Sequence, residues 1–384
     1  MDLYRRENNI LPRSTMRIAA RYLRNFDYVL LITVLILIVI GVMLIASATN
    51  DAIDPTLATR VESQILFAFV GIGVVLFFTL IDYRLLTSTY IWIYAVLVAI
   101  LGVVGLLGVE GEAGAQSWLN FGIAGFQPSE LAKILLIIVL AQQMAKAANQ
   151  IGTLKGILVS LAWAAIPTLF IFIQPDLGIS VLIMVVWFAM AWAAGMDWKH
   201  IVLFAVVGLA LAPFLWGMME EYQRARIIVF IWPEADPDAF FNIGQALTAI
   251  GNGGLLGQGY MQGPQSQLRF LRVRHTDFIF AVLAEEFGFV GSIIVLLLLG
   301  IVVMRCLRAA SLASDKAGSL IAVGVATVIF FQTVVSVGMN IRLMPVTGLT
   351  LPFVSSGGSS LVTLLMGIGL VQSVLLRQNP RDLV

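Results

Sequence analysis

The run "YVLLITVLILIVIGVMLIASA", residues 28–48, contains no charged side chain. An α-helix needs about 20 apolar residues to cross the hydrocarbon core of a bilayer. Backbone polar groups in lipid must also bond to one another, which favours a helix over an open sheet. The run therefore predicts a transmembrane helix, and the fold class depends on how often such runs recur.

Nine further apolar runs follow along the chain, which has 384 residues, 60% of them hydrophobic and 12% charged. A soluble domain carries about a quarter charged residues. The ten predicted spans cover residues 28–48, 64–81, 89–108, 129–145, 156–173, 178–195, 200–217, 278–304, 318–338 and 358–376. The sequence therefore predicts an all-α polytopic membrane protein.

Lys and Arg residues in short loops predict the orientation of the bundle. With the N-terminus inside, fifteen basic residues fall on the cytoplasmic side, and the short external loops hold only Arg60 and Arg342. Both termini are therefore expected to be cytoplasmic, with a basic tail at 1–27, a membrane domain at 28–376 and a second tail at 377–384. The basic tail lacks the pattern of a cleavable signal peptide, so we expect the first span to be retained.

The composition also argues against a disulfide framework, a Cys/His zinc site and a nucleic-acid partner. The single cysteine, Cys306, excludes an internal disulfide framework, and with only two histidines a Cys/His zinc site is not expected. The chain has no basic stripe with interleaved aromatic residues, so we expect no nucleic-acid partner.

The longest stretch outside the spans is the external segment 218–276, between the seventh and eighth helices. A connection of about sixty residues in a compact protein is normally functional or disordered. Its aromatic and aliphatic content argues against disorder and predicts short helices on the membrane face. Its run "GNGGLLGQG" (251–259) lacks the strand-to-helix setting and the Lys-Ser/Thr pair of a nucleotide loop, so no nucleotide site is predicted.

Asp277 follows this segment, in "HTDFIFAVLAEEFG" (275–288). In the simplest interpretation, Thr276 or Asp277 caps a helix that starts at Phe278. The spacing also puts Glu285 on the helical face of Asp277, about 12 Å deeper. Acidic side chains within a membrane helix are costly and tend to mark polar cavities. We therefore favour Asp277 as a general base above a polar cavity that Glu285 and Glu286 line.

A second polar group lies in "WLNFGIAGFQPSELAK" (118–133) and "QPDLG" (174–178). Glu130 and Lys133 share a helix face at i, i+3, and their pair is either simple architecture or part of a site. Asp176 either caps the next helix or pairs with Lys133, and we favour the pair as the scaffold of a cavity. Trp118 is either an interfacial anchor or a surface on which a sugar stacks.

Two further external features could bind a substrate. The arginines of segment 218–276 suit a diphosphate, because guanidinium groups bind phosphate oxygens bidentately. Anionic headgroups or a protein partner are the other option, which we prefer for Arg269 and Arg272. The run "MPVTGLTLPFVSSGGSS" (344–360) predicts irregular backbone that lines a cavity, with an ordinary external loop as the alternative.

Taken together, these motifs resemble those of the SEDS proteins (shape, elongation, division and sporulation), ten-helix membrane proteins of bacterial cell-wall synthesis. The resemblance rests on the motifs at 118–133, 174–178, 275–288 and 344–360 and on "GNGGLLGQGYMQGPQSQL" (251–268). It spans nearly the whole chain beyond the basic tail, and it is closer to the elongation member of the family than to the division member.

The resemblance implies a peptidoglycan glycosyltransferase of the bacterial cytoplasmic membrane that polymerises lipid II at the external face. It also implies a class B penicillin-binding protein, which crosslinks the glycan, and the elongation machinery as partners. The essential aspartate of the family falls on Asp277, its first-loop tryptophan on Trp118, and its membrane ion-pair residues on Glu130, Lys133 and Asp176. The candidate substrate-binding residues are Trp118, Arg224, Arg226, Gln267, His275 and Ser355.

We expect an inverting transfer, in which Asp277 takes the proton of the acceptor hydroxyl. Arginines or a divalent cation (Mg²⁺ or Mn²⁺) would neutralise the diphosphate leaving group. A lipid II flippase is the alternative function, and a scaffold without activity is the third. The chain departs from the family pattern at 271–273, which is "LRV" instead of "LPE", at Ser356 instead of tyrosine, and at Arg342, where glycine is frequent.

Overall fold

The computed structural model describes residues 25–50, 57, 59–107, 119–120, 125–148, 150–268, 270–271 and 273–378. Helices make up nearly all of the regular structure in these residues, as predicted. The helices are α1 (Tyr28–Ala48), α2 (Arg60–Leu80), α3 (Tyr83–Ser88), α4 (Tyr90–Leu107), α5 (Pro128–Lys146), α6 (Leu154–Ile173), α7 (Leu177–Ala194), α8 (Trp198–Met218), α9 (Glu221–Ile231), α10 (Pro237–Gly253), α11 (Pro264–Gln267), α12 (Ile279–Leu312), α13 (Lys316–Asn340) and α14 (Gly358–Leu376).

Within the described residues, nine helices have the length and hydropathy to cross a membrane, and α4 is a shorter apolar helix. Each of the ten predicted spans coincides with one of these helices. Eight of the ten agree with the prediction within two residues at both ends. The other two differ at one end, since α2 begins at Arg60 rather than 64 and α12 continues to Leu312 rather than 304.

The centre of the bundle is α14, which is almost wholly buried and packs against α2, α5 and α13. Small residues let α2 and α14 approach closely. A Cβ added to Gly369 would lie 2.8 Å from the carbonyl oxygen of Val75, so only glycine fits at that contact. The opposite case is α8, which has no fully buried residue and contacts the rest of the described chain through half-buried side chains such as Phe204.

Three ion pairs join helix ends at one end of the bundle. The pairs are Asp27–Arg305 at 2.6 Å, Asp82–Arg377 at 3.3 Å and Arg84–Asp315 at 3.1 Å. This end carries the basic residues that we assigned to the cytoplasmic side from the loop charges. The orientation itself, and the boundaries of the two tails, remain predictions.

The external segment contains α9, α10 and α11 and a 3₁₀ turn at Pro233–Ala235, which confirms the expectation of short helices. Before α5, the strands β1 (Leu119–Asn120) and β2 (Gly125–Phe126) form a small antiparallel pair that the sequence pattern did not predict. The longest helix, α12, is interrupted at Gly288, where φ is 68° and ψ is −166°. This break determines how the external segment joins the membrane bundle.

Candidate functional site

Asp277 lies, partly buried, in the turn 273–278 that precedes α12. Three consecutive backbone carbonyls of this turn accept hydrogen bonds from other parts of the chain. Their donors are the Ser356 N–H to the His275 oxygen, the Ser355 hydroxyl to the Thr276 oxygen and the Asn340 Nδ2 to the Asp277 oxygen, each at 2.9 Å. The backbone that carries Asp277 is therefore fixed by two elements remote in sequence.

Asn340, the last residue of α13, supplies a cap to the start of α12, a different helix. The residue before α12 is Phe278, whose side chain offers no acceptor for the first-turn amides. The fully buried Asn340 uses its Oδ1 to accept the N–H of Ala281 at 3.1 Å, while its Nδ2 holds the Asp277 carbonyl. One amide of the first turn of α12 is therefore bonded by Asn340, a residue remote in sequence.

The glycine-rich run 253–259 lies directly against α12 at its break. Four backbone hydrogen bonds connect the two stretches: Gln258 N–H to the Glu285 oxygen (2.9 Å), Gly259 N–H to the Glu286 oxygen (3.0 Å), Phe289 N–H to the Gly254 oxygen (2.9 Å) and Val290 N–H to the Leu255 oxygen (3.1 Å). A Cβ at Gly257 would lie 2.1 Å from the Glu286 oxygen. The glycines serve this backbone contact, because a side chain would prevent it.

Glu285 and Glu286 make hydrogen bonds that connect α12 with the external segment and with α1. The carboxylate of Glu285 accepts the N–H groups of Gln265 at 2.7 Å and Ser266 at 3.0 Å, at the start of α11. Glu286 accepts the hydroxyl of Ser47 in α1. Asp277 precedes the helix, so the predicted common helical face with Glu285 does not form. Both glutamates are buried and accept hydrogen bonds, and a cavity that they line remains a prediction.

Gln267 and Ser355, both candidate substrate-binding residues, have intramolecular partners. The Gln267 Nε2 lies 3.1 Å from the Ser47 hydroxyl and 3.3 Å from its carbonyl oxygen. The Ser355 hydroxyl also accepts the Leu351 N–H at 2.9 Å. Gln267 therefore joins α11 to α1, Ser355 holds the Asp277 turn, and a substrate contact by either remains a prediction.

Two of the departures from the family pattern have a backbone conformation that favours glycine. Val273 has φ of 51° and Arg342 has φ of 56°. A positive φ at a β-branched residue such as Val273 is rare and strained. The Arg342 guanidinium lies 5.1 Å from the ring centroid of Phe240 in α10, a cation–π contact that partly offsets the strain.

The second polar group is centred on the start of α5. The buried Lys133 Nζ pairs with the Glu130 carboxylate at 2.6 Å. Asp176 does not pair directly with Lys133, so that prediction was wrong. Its Oδ1 accepts the Ile179 N–H at 3.1 Å and caps α7, which was the alternative, and its Oδ2 lies 3.1 Å from the Gln127 Nε2.

Asp176 is positioned between two spans, and its burial raises the pKa of its carboxyl to about 6. The nearby Glu130 carboxylate raises this pKa further, whereas the Ile179 N–H and the Lys133 ammonium oppose the shift. The cap at the start of α7 therefore changes charge close to neutral pH.

The helix α9 docks beside Asp176. The Tyr222 hydroxyl and the Gln223 Nε2, the latter at 3.0 Å, both donate to the Pro175 carbonyl oxygen. Arg226 stacks over the Tyr222 ring at 5.5 Å, and the Arg224 Nη2 donates to the Gly217 oxygen at 2.9 Å. Both arginines thus lie on the helix that contacts the backbone next to Asp176.

The irregular segment 344–357 connects the two polar groups. Near its start, the carbonyl oxygen of Thr347 lies 2.8 Å from where a Gly178 Cβ would be, at the beginning of α7. At its end, Ser355 and Ser356 hold the Asp277 turn, and just beyond it the Ser359 hydroxyl accepts the Gln127 N–H at 3.2 Å. Residues 351–356 are buried, which confirms irregular backbone inside the protein rather than an ordinary surface loop.

The remaining predicted site residues are His275, Trp118, Arg269 and Arg272. His275 is buried and contributes its carbonyl to the turn. Trp118, Arg269 and Arg272 lie outside the described residues. Among the described residues, no group of three or more His, Cys, Asp or Glu is arranged to hold a metal ion.

The sequence interpretation missed Asn340, Ser47 and Gln64. Gln64, buried in α2, accepts the Gly357 N–H at 3.3 Å and donates to the Ser355 carbonyl at 3.4 Å. All three are polar residues within apolar helices, which is the signal that could have identified them.

Comparisons with known proteins show which family and fold this chain shares. The sequence profile of the FtsW/RodA/SpoVE family, described as "Cell cycle protein", matches residues 27–379. The peptidoglycan glycosyltransferase MrdB of Escherichia coli (strain K12) is 37% identical over 352 residues, which cover 91% of this chain and 93% of that protein.

Two solved structures share the fold. A chain from a peptidoglycan synthase complex, described as coordinating polymerization and crosslinking, superposes with a TM-score of 0.79 at 29% identity, over 92% of this chain and 99% of that one. The rod shape determining protein RodA of Thermus thermophilus superposes with a TM-score of 0.65 at 29% identity, over 91% of this chain and 96% of that one.

Proposed function

The chain belongs to the FtsW/RodA/SpoVE family, and we propose that it polymerises lipid II with Asp277 as the general base. Like the relatives that it matches, it is a peptidoglycan glycosyltransferase with a role in cell shape. Its apolar helices embed it as a multi-pass protein in the bacterial inner membrane.

The observation that carries the base assignment is the fixed backbone of the Asp277 turn. A general base must reach the reacting hydroxyl at about 2.6–3.2 Å, and small displacements are costly in rate. Hydrogen bonds to the carbonyls of His275, Thr276 and Asp277 restrain this turn from two sides. Such anchoring would keep the Asp277 carboxylate at a constant position relative to the acceptor sugar.

The chemistry that fits this position is an inverting transfer at the external face. Asp277 would take the proton of the GlcNAc 4-hydroxyl of an incoming lipid II while that oxygen attacks the anomeric carbon of the growing strand. The bond that breaks joins this carbon to the undecaprenyl diphosphate, giving a β-1,4 linkage. A membrane location follows from the substrates, since the reacting sugars are outside and their polyprenyl anchors lie in lipid.

The leaving diphosphate requires positive charge rather than a proton. Arg224 and Arg226 are the candidates within the described residues, because both lie on α9, whose Gln223 bonds the Pro175 carbonyl next to Asp176. Guanidinium groups bind phosphate oxygens strongly. A divalent cation would supply the same neutralisation, with its own ligands in part from the diphosphate.

The glycan strands that the polymerase makes would be crosslinked by a separate transpeptidase. The related complex couples polymerization with crosslinking, and we propose a class B penicillin-binding protein of the elongation machinery as the partner of this chain. That partner would be included in any test of polymerisation.

The decisive experiment measures glycan polymerisation from lipid II by the purified protein with its penicillin-binding partner, comparing wild type with Asp277→Asn. A positioned base contributes roughly 10²–10⁴-fold, so the variant should lose at least two orders of magnitude in rate while keeping its fold. Glu234→Gln is the matched control, because Glu234 is an exposed carboxylate of the same external segment. Its rate should equal that of the wild type.

Equal polymerisation by wild type and Asp277→Asn would refute the base assignment. If neither protein polymerises lipid II, but vesicles that carry the wild type move lipid II between leaflets, the flippase alternative replaces the proposal.

A further inference from the structure

A cavity of about 440 Å³ opens at the basic end of the bundle, far along the chain from Asp277. Three elements meet there: the short helix α3, the last turn of α5 and the first turn of α13. The lining residues are Arg84, Thr87, Ser88, Gln142, Ala145, Lys146, Asp315, Lys316 and Ala317. The proposed transferase chemistry does not use any of them.

The single carboxylate of this cavity is already engaged. The Asp315 Oδ2 accepts the Tyr83 hydroxyl at 2.9 Å and the Arg84 Nε at 3.1 Å, and its Oδ1 accepts the Gly318 N–H at 2.7 Å. Burial raises the pKa of Tyr83 to about 12, so its hydroxyl remains a donor at neutral pH. Arg84 and Asp315 therefore compensate each other.

Lys146 and Lys316 contribute two further positive charges to the cavity, and no carboxylate among the described residues that line the cavity compensates them. Neither has a carboxylate within 4 Å in the part of the chain that the structure describes. The Lys146 Nζ lies 4.5 Å from the ring centroid of Tyr90, and the Lys316 Nζ donates to the Ala194 carbonyl at 2.8 Å. These contacts place both ammonium groups at the cavity without neutralising them.

Two exposed apolar side chains that could contact acyl chains are close in sequence to the cavity residues or to Tyr90, which contacts Lys146. Leu85, next to Arg84 in α3, is 63% exposed, and Trp92, in the first turn of α4, is 75% exposed. Tryptophan is enriched at the boundary between headgroups and hydrocarbon. A cationic cavity with such side chains close to it in sequence matches a molecule with an anionic head and an apolar tail better than a soluble anion.

We propose that this cavity binds the phosphate group of an anionic phospholipid, with Lys146 and Lys316 contacting the phosphate and the acyl chains lying along α3 and α4. Basic pockets between transmembrane helices on the cytoplasmic side are suited to such headgroups. The lipid would connect the ends of α3, α5 and α13.

The test is native mass spectrometry of the purified full-length protein in detergent, with phosphatidylglycerol and phosphatidylethanolamine added in equal amounts. Wild type should bind phosphatidylglycerol in preference. The double variant Lys146→Gln/Lys316→Gln should weaken phosphatidylglycerol binding about tenfold or more, because each lysine near a phosphate contributes to affinity. Lys155→Gln/Lys199→Gln is the matched control, since both are exposed lysines at the same end and do not line the cavity.

Three results would overturn the proposal: no preference for phosphatidylglycerol in the wild type, equal loss in the two double variants, or no loss in either. A competition arm with about 10 mM inorganic phosphate distinguishes the source of the anion. If free phosphate displaces phosphatidylglycerol through the same lysines, the ligand is a soluble phosphate and the lipid assignment is wrong. Thermal unfolding of each variant without added lipid verifies the fold.

Discussion

Asn340 and Asp277, at the ends of different helices, are joined by a hydrogen bond of 2.9 Å from the amide Nδ2 to the backbone carbonyl oxygen. The same Asn340 side chain accepts the Ala281 N–H, so one amide fixes both the proposed base and the first turn of its helix. The position of the Asp277 carboxylate thus depends on α13 as well as on α12.

We expect Asn340→Leu to lower kcat for lipid II polymerisation by about 10–100-fold, with a much smaller change in KM. Leucine has a similar volume but cannot bond the Asp277 carbonyl or the Ala281 N–H, so the base shifts while most of the substrate surface is kept. Loss of the hydrogen bond to the Asp277 carbonyl also costs about 1–3 kcal/mol of stability, whereas the Ala281 N–H keeps its bond to the Phe278 carbonyl oxygen at 3.0 Å. Steady-state kinetics and thermal unfolding measure the two effects separately.

The matched control is Ser336→Ala, one turn deeper on the same face of α13. Ser336 is buried, and its hydroxyl contacts neither Asp277 nor Ala281. Its kcat should remain that of the wild type. A fall of similar size in both variants, or a change of KM alone in Asn340→Leu, would rule out a positioning role.

Asp176 should make stability depend on pH in a defined direction. Its pKa is raised to about 6 in the folded protein, above the ordinary aspartate value of 3.8, so the folded state binds the proton more tightly. Its contribution is therefore fully present below about pH 4 and is lost as the pH rises through about 6, with a slope of at most ~1.4 kcal/mol per pH unit.

Asp176→Asn should remove this dependence. Thermal midpoints of wild type and variant, measured from pH 4.5 to 7.5, should diverge as the pH rises, with the wild type losing relative stability. Parallel curves would show that Asp176 titrates at its ordinary value.

The contact between the glycine-rich run and α12 can be tested with two glycines of similar backbone conformation. Gly254 and Gly257 both have positive φ, but only at Gly257 would a Cβ meet another backbone, at 2.1 Å from the Glu286 oxygen. Gly254→Ala should cost about 1–2 kcal/mol for the left-handed conformation alone. Gly257→Ala should cost clearly more, because the backbone hydrogen bonds to α12 must break.

Thermal unfolding and expression yield measure this difference. Equal stability of the two alanine variants would mean that the close backbone approach is absent.

Arg342 offers a test of backbone strain, because its φ is positive. Arg342→Ala and Arg342→Gly both lose the contact with the Phe240 ring, but only glycine relaxes at φ of 56°. The glycine variant should therefore be more stable than the alanine variant by about 1 kcal/mol. Chemical unfolding measures the free energies of unfolding of the two variants. If the alanine variant is at least as stable as the glycine variant, the backbone at residue 342 is not strained.

The sequence predicted the spans well and the site less completely, for a physical reason. A run such as 28–48 identifies a helix through its own composition, because every residue must be compatible with lipid. The cap of α12 depends on Asn340, which no spacing near Asp277 indicates. The predicted Lys133–Asp176 pair failed in the same way, since a local bond to the Ile179 N–H satisfied Asp176 and Glu130 was nearer to Lys133.

The partners of the two glutamates in α12 could not be predicted from the sequence either. Their position in an apolar run correctly indicated that they need polar partners, but not which ones. The partners of Glu285 are backbone N–H groups of the external segment, which any residue types could provide. The residues around Asp277 and the family resemblance both indicated it as the candidate base, and the fold was needed to find which residues hold its backbone.

The interruption of α12 at Gly288 has a consequence for engineering this protein. Residues 254–259 complete their backbone hydrogen bonds with a helix that is synthesised after them, so this part of the external segment reaches its final form only once α12 has been inserted. A chimera that transplants the external segment of a relative should therefore exchange 237–312 as one block. Grafts that end before 279 would separate two halves of a single structural unit.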